Sequence, residues 1–144
     1  MEIQITCNHP VKTINPKKIK MKLMGILKDL GFHDGEISLL FTDDKHIADL
    51  NRRFLKRQGP TNVLAFPMKS GDAAMPETPM LGDIVISLDA AGRDAAHFGE
   101  NPSKTVDRLL IHGLLHLLGH DHERSEKEAR QMEKETERLL ALMG

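Results

Sequence analysis

The sequence predicts an α+β domain: a single small mixed β-sheet of about four strands packed with about five helices. Three observations lead there. Strand-like and helix-like patterns alternate over roughly the first 87 residues and give way to helical patterns afterwards. Two Asn-Pro pairs, Asn15-Pro16 and Asn101-Pro102, each combine a helix cap with a proline whose fixed φ suits the first helical position. The 144 residues are 40% hydrophobic and carry no tandem repeat, low-complexity tract or interdomain linker, so one domain over residues 1–144 is expected.

The elements follow in order. Glu2 to Cys7 alternates Ile3 and Ile5 with polar neighbours, the period of a strand. After the Asn15-Pro16 cap, Ile19, Leu23, Ile26, Leu27 and Leu30 form the apolar stripe of a helix closed by Gly31. Glu36 to Thr42 is apolar enough for a central strand. Asp43 or Asp44 then starts a helix expected to turn Ile47, Leu50 and Phe54 inward. A third strand is expected near Asn62 to Phe66, and the segment from Pro67 to Met80, with its prolines and Gly71, reads as a loop. Gly82 to Ser87 is the fourth strand, and Leu88 to Phe98 a helix. The next helix starts at Asn101-Pro102, with Val106, Leu110, Leu114 and Leu117 available to anchor it. Ser125-Glu126-Lys127-Glu128 has the capping-box pattern before a last helix whose apolar side is Met132, Leu139, Leu140 and Met143.

Composition excludes several classes. The start of the chain lacks the basic and long apolar regions of a signal peptide, and no apolar run approaches the roughly 20 residues of a membrane span, so a cytoplasmic protein without membrane contact is expected. The single cysteine, Cys7, has no partner for an internal disulfide and reads as a small apolar group. A net charge of −1 conceals an asymmetry: residues 1–70 hold 12 Lys/Arg against 7 Asp/Glu, and residues 71–144 hold 8 against 14. Two clusters carry the excess, Lys17, Lys18, Lys20 and Lys22 on the first helix and Arg52, Arg53, Lys56 and Arg57 before Pro60. The first reads as a solvated helix face. The second is the candidate for binding a nucleic-acid backbone, because phosphate contacts give affinity without sequence preference. With no Trp or Tyr and only five Phe, a base-stacking platform is not expected, and any RNA would be held mainly by backbone and shape, with little sequence preference.

The most informative stretch is residues 112–122, which holds four of the eight histidines. Neutral imidazole is a common zinc ligand, and a catalytic zinc typically takes three protein ligands and leaves one position to solvent. His112 and His116 are one helical turn apart and share a face. Gly119 can take the left-handed conformation that ends a helix and swing the chain back, bringing His122 to the pair as third ligand, with His120 as the alternative. Asp121 either orients a ligand imidazole from behind or caps the turn. Helical zinc proteases carry a glutamate base directly after the first histidine, in the pattern H-E-x-x-H, but here that position is Gly113.

The run from His112 to His122 resembles the signature H-G-x-L-H-L-x-G-Y-D-H of the YbeY-type endoribonucleases. The similarity extends to Leu50-Asn51-Arg52-Arg53-Phe54, to the segment from Pro60 to Pro67, and to Leu81-Gly82-Asp83-Ile84-Val85-Ile86-Ser87. The resemblance implies a zinc-dependent hydrolase that cuts single-stranded RNA and acts in small-subunit ribosomal RNA maturation and ribosome quality control. It implies one zinc ion per chain, held by His112, His116 and His122, and ribosomal RNA, the ribosome or ribosome-assembly proteins as partners. Three features depart from the family pattern. His120 stands in place of a usual Tyr, and Asn62 and Ala65 stand where Asp and Ser are common. Leu55 occupies the place of an arginine implicated in RNA cleavage, so that role does not carry over. Catalytic residues beyond the metal site are therefore unassigned. Two other readings compete: a metal-dependent hydrolase of another bond, including a peptide bond, with Asp83 or Asp121 as base, and a non-catalytic ribosome-biogenesis factor whose metal is closed by four histidines.

Overall fold

A computed structural model describes residues 2–10, 14–32, 34–68, 80–119 and 125–143. Among them the chain forms β1 (Glu2–Cys7), α1 (Pro16–Asp29), β2 (Glu36–Thr42), α2 (Asp44–Leu55), β3 (Val63–Pro67), β4 (Met80–Ser87), α3 (Leu88–Phe98), α4 (Pro102–Leu117) and α5 (Glu126–Met143). The helices begin where the sequence supplies acceptors for their first N–H groups. Asn15, Asp43, Ser87 and Asn101 each accept from a backbone N–H of the first turn of α1, α2, α3 and α4, and Ser125 Oγ accepts from the Glu128 N–H. The interior of the predicted loop, residues 69–79, lies outside the described residues.

The four strands form one mixed sheet in the order β1-β2-β4-β3, with β1 parallel to β2, β2 parallel to β4, and β3 antiparallel to β4. This is the α+β architecture that the pattern predicts. Strand alternation divides the sheet into two faces. Ile3, Ile37, Leu39, Phe41, Ile84 and Ile86 join the main core with α1, α4 and α5, whereas Leu40, Leu64, Val85 and Phe66 form a smaller cluster under α2 with Ile47 and Leu50. The helix carrying His112 and the helix carrying the arginine cluster therefore lie on opposite faces of the sheet.

α4 is the central helix of the main core. Leu110, Ile111, Leu114 and Leu115 are fully buried, and Val106 is nearly so. Leu117, expected as an anchor, is partly buried and packs on the same core. Cys7 likewise packs at the core's edge as a small apolar group. Two glycines let α4 approach the sheet. A Cβ at Gly113 would meet Ile84 Cγ2 at 2.8 Å, and one at Gly82 (φ +144) would meet Leu117 Cδ2 at 2.8 Å and collide with the Phe66 carbonyl oxygen. Gly82 follows a register irregularity in which Glu36 pairs with Met80 and Ile37 with Gly82.

One expectation is corrected. Phe54 is not inward but 59% exposed. α2 meets the sheet over its first turns only: Ile47 is fully buried and Leu50 half-buried. One turn further, Phe54 meets Phe66 in an edge contact at 5.6 Å between ring centroids and otherwise borders an open hollow.

The Gly113 contact yields a stability prediction. Replacing Gly113 by Ala adds helix propensity worth up to about 1 kcal/mol, but overpacking against a fully buried Ile84 costs about 1–3 kcal/mol. Gly113→Ala is thus expected to lower the thermal midpoint by a few degrees. An unchanged or raised midpoint in calorimetry would show that α4 has slack against β4.

Candidate functional site

His112 and His116 project from α4 with their rings converging. Their Nε2 atoms are 3.1 Å apart and their ring centroids 4.6 Å apart. Both side chains are half-buried. Such a separation suits a ring-to-ring hydrogen bond, and it also suits one shared ion. Two nitrogens each about 2.0–2.1 Å from a tetrahedral zinc stand about 3.4 Å apart. The donor chemistry and spacing of this half-site therefore fit a divalent ion. Gly119 has φ +96 and its N–H bonds to the His116 carbonyl, so the chain turns where the sequence places a helix stop. His120, Asp121 and His122 lie outside the described residues, and among the described residues no group of three His, Cys, Asp or Glu side chains is placed to hold a metal.

Beside His112 is a cavity of about 440 Å³, lined by Asn62, Val63, Asp94, Phe98, Glu100, Thr105, Arg108, Leu109 and His112. Thr105, Arg108, Leu109, His112 and His116 share one side of α4, since each stands three or four residues from another of the set. The opposite wall comes from α3 and from the start of β3. Its polar groups are mutually engaged. Arg108 donates to Glu100 (2.9 Å) and Glu137 (2.7 Å), the Thr105 hydroxyl donates to Glu100, and Asn62 Nδ2 donates to Asp94 Oδ2 at 3.1 Å. The hydrogen bond from Arg108, helped by Thr105, holds the Glu100 carboxyl below its ordinary range. Sequence reasoning singled out none of Asp94, Phe98, Glu100 or Arg108. The only signal was that Arg108 precedes His112 by one helical turn.

None of Arg52, Arg53, Lys56 and Arg57 lines that cavity. Arg52 and Arg53, with side chains 71% and 62% exposed, share one carboxylate, Asp49, at 2.8 and 3.5 Å. Exposed pairs of this kind are worth little, so two guanidiniums on one carboxylate leave net positive charge available to a polyanion. Arg52, with Lys45, His46 and Gln58, borders an open hollow of about 700 Å³. Lys56 ends α2 in the left-handed conformation, φ 55. The chain then runs through Gly59, on the rim of this hollow, to Asn62, on the rim of the histidine cavity, so the segment after α2 links the two regions. Asp83, one candidate base for the rival hydrolase, lines a third hollow with Ser38, Leu50, Phe54 and Phe66. That hollow lies on the α2 face, across the sheet from His112.

A second polar cluster closes the end of the sheet where β2 and β4 lead into α2 and α3. Asp44 accepts from the Ser87 hydroxyl (2.8 Å) and from both terminal nitrogens of Arg93 (2.6 and 3.1 Å). Asp89 accepts from the Asp44 backbone N–H (3.0 Å) and pairs with His9 Nε2 at 2.8 Å. Arg93 holds the Asp44 carboxyl below its ordinary range, and His9 does the same for Asp89. These groups satisfy one another, and they read as structural.

Comparisons with known proteins identify the family. The family model described as Endoribonuclease YbeY matches residues 4–144. The chain belongs to this family. Proteins named Endoribonuclease YbeY from Syntrophus aciditrophicus and Geobacter metallireducens are 39% and 40% identical, over 100% and 94% of this chain and 91% and 89% of their own lengths. One from Persephonella marina is 44% identical over 84% of this chain and 78% of its own length. The solution structure of TM1509 from Thermotoga maritima superposes with a TM-score of 0.68 at 26% identity, covering 98% of this chain and 88% of that one. The convergent pair, His112 and His116, thus lies in the YbeY signature, on the helix most firmly embedded in the core.

The sheet-end cluster predicts a pH signature. The Asp44 carboxyl titrates in the native state below its ordinary value of 3.8. Its stabilising contribution is therefore fully present above about pH 4 and is lost as pH falls through the lower native value. Asp44→Asn should reduce the thermal midpoint at pH 7, and its deficit relative to the parent should shrink below pH 4. A deficit that is constant with pH would mean that the charge on Asp44 contributes nothing.

Proposed function

We propose that this chain is an endoribonuclease that cuts unpaired RNA with the help of one divalent ion, preferentially zinc, held by His112, His116 and His122. Membership of the Endoribonuclease YbeY family carries the reaction class. The 3.1 Å convergence of the two helical imidazoles supports the ion. When bound, such an ion supplies Lewis acidity toward a phosphoryl oxygen or toward water. The substrate we infer is ribosomal RNA met during small-subunit maturation, in the cytoplasm and in company with the ribosome or its assembly proteins. Among the described residues, no helix is long and apolar enough to cross a membrane.

Backbone recognition falls to the arginine cluster. Arg52, Arg53, Lys56 and Arg57 present cations on the α2 side, and the segment through Gly59 and Asn62 leads from them around the β3 edge to the histidines. Arg108, although close to His112, is balanced by Glu100 and Glu137 and holds the cavity wall. Peptide hydrolysis on the helical-protease plan is disfavoured on packing grounds. A side chain at the position after the first histidine would displace the buried Ile84 side chain, and Asp83 stands across the sheet. A base of that kind has no seat among the described residues.

Elemental analysis tests the ligand set. Purified protein should carry about one divalent ion, and His112→Ala, His116→Ala and His122→Ala should each lose it, while His120→Ala keeps most of it. Loss in His120→Ala with retention in His122→Ala would transfer the third position to His120. Equal content in all four would defeat the site.

Salt titration tests the cluster. Neutralising two of Arg52, Arg53, Lys56 and Arg57 should weaken binding of an unstructured RNA and flatten its log–log salt dependence by roughly one unit per lost phosphate contact. Bound metal should stay the same. An unaltered slope would place the backbone contacts elsewhere.

A further inference from the structure

The cavity beside His112 is poorly suited to a phosphate. Asp94 and Glu100 line it, and its one guanidinium, Arg108, already serves two carboxylates. Its shape and rim suit a different part of an RNA strand. Phe98, the last residue of α3, is 74% exposed at the cavity's edge, in a chain with only five aromatic residues. It is also held in place. The His97 ring packs against it at 4.8 Å with an interplanar angle of 82°, and Gly99 (φ +62) caps the helix immediately after it. Deeper in, Asp94 is half-buried, with Oδ2 engaged by Asn62; among the described residues Oδ1 receives no hydrogen bond. A rigid exposed ring next to hydrogen-bond acceptors is the combination by which proteins hold a splayed-out base, through its face and its polar edge.

We propose that this cavity receives one unpaired nucleobase of the RNA substrate, with Phe98 as the stacking surface and the Asp94 carboxylate as acceptor for an exocyclic amino group. The inference rests on the endoribonuclease reading and adds to it a determinant of base preference. Carboxylates accept from the amino group of cytosine, and equally from that of adenine, whereas uracil has none. The site therefore favours an amino-bearing base next to the cleaved position. One ring and one carboxylate constitute a subsite for a single base, which is compatible with a chain too poor in aromatics for a continuous platform.

The test uses metal-loaded protein and unstructured oligoadenylate, oligocytidylate and oligouridylate of equal length, measuring binding and cleavage. The parent should prefer the first two over the third. Phe98→Ala should bind all three roughly tenfold or more weakly, with bound metal, thermal midpoint and the log–log salt slope unchanged, since no phosphate contact is lost. Phe98→Tyr should restore binding. Asp94→Asn, which presents N–H donors as well as an oxygen, should narrow the preference over oligouridylate. If the parent cleaves RNA but Phe98→Ala and Asp94→Asn match it in affinity and preference, the base subsite is overturned while the endoribonuclease reading stands. If the metal-loaded parent cleaves none of the three, the endoribonuclease reading fails first, and this inference with it. A weaker Phe98→Ala variant with a flatter salt slope would also overturn the assignment, because the loss would then be one of backbone contacts.

Discussion

The close approach of α4 to β4 is the constraint on which the site depends. A helix usually lies about 10 Å from a neighbouring layer, with side chains filling the space between. Here Gly113 and Gly82 remove side chains at the contact, so Ile84 presses directly on the helix and Leu117 on the strand. Fully buried Leu110, Ile111, Leu114 and Leu115 surround the contact, each contributing about 1.5–3 kcal/mol of apolar burial. A helix held from several directions has little freedom to rotate or slide. The rings of His112 and His116, one turn apart beside that contact, inherit the rigidity that a set of metal ligands would need.

How much of this the sequence made legible depends on the range of the interaction. The caps at Asn15, Asp43, Asn101 and Ser125 are readable because each acts within three residues of itself. The histidine pair was readable for the same reason, since an i, i+4 relation needs only the helix. Phe54 was misread because periodicity tells which side of α2 a residue occupies but not how far the sheet extends beneath it. The strand order β1-β2-β4-β3 and the cavity wall of Asp94, Phe98 and Glu100 depend on contacts distant in sequence, and no local pattern encodes them.

The sheet also separates two electrostatic environments. On the α2 side, arginines outnumber the single carboxylate that pairs with them. On the α4 side, the carboxylates of Asp94, Glu100 and Glu137 outnumber the one guanidinium, Arg108, that stands among them near His112. A polyanion is drawn to the first environment and gains little from the second. The chain segment following α2 borders both, with Gly59 on one and Asn62 on the other.

The sheet-end cluster has a consequence for where that ligand is excluded. In many α/β folds, the ends of parallel strands and the helix N-termini beside them attract anions, because unpaired N–H groups and the helix dipole converge there. In this chain Asp43, Asp44 and Asp89 occupy that place themselves, accepting from the first turn of α2 and from Ser87, Arg93 and His9. A tethered carboxylate competes at a high effective concentration that a free phosphate in solution does not match. The protein thus fills with its own side chains the anion site that its topology would otherwise offer, and a free anion arriving there meets carboxylates already engaged with the first turn of α2.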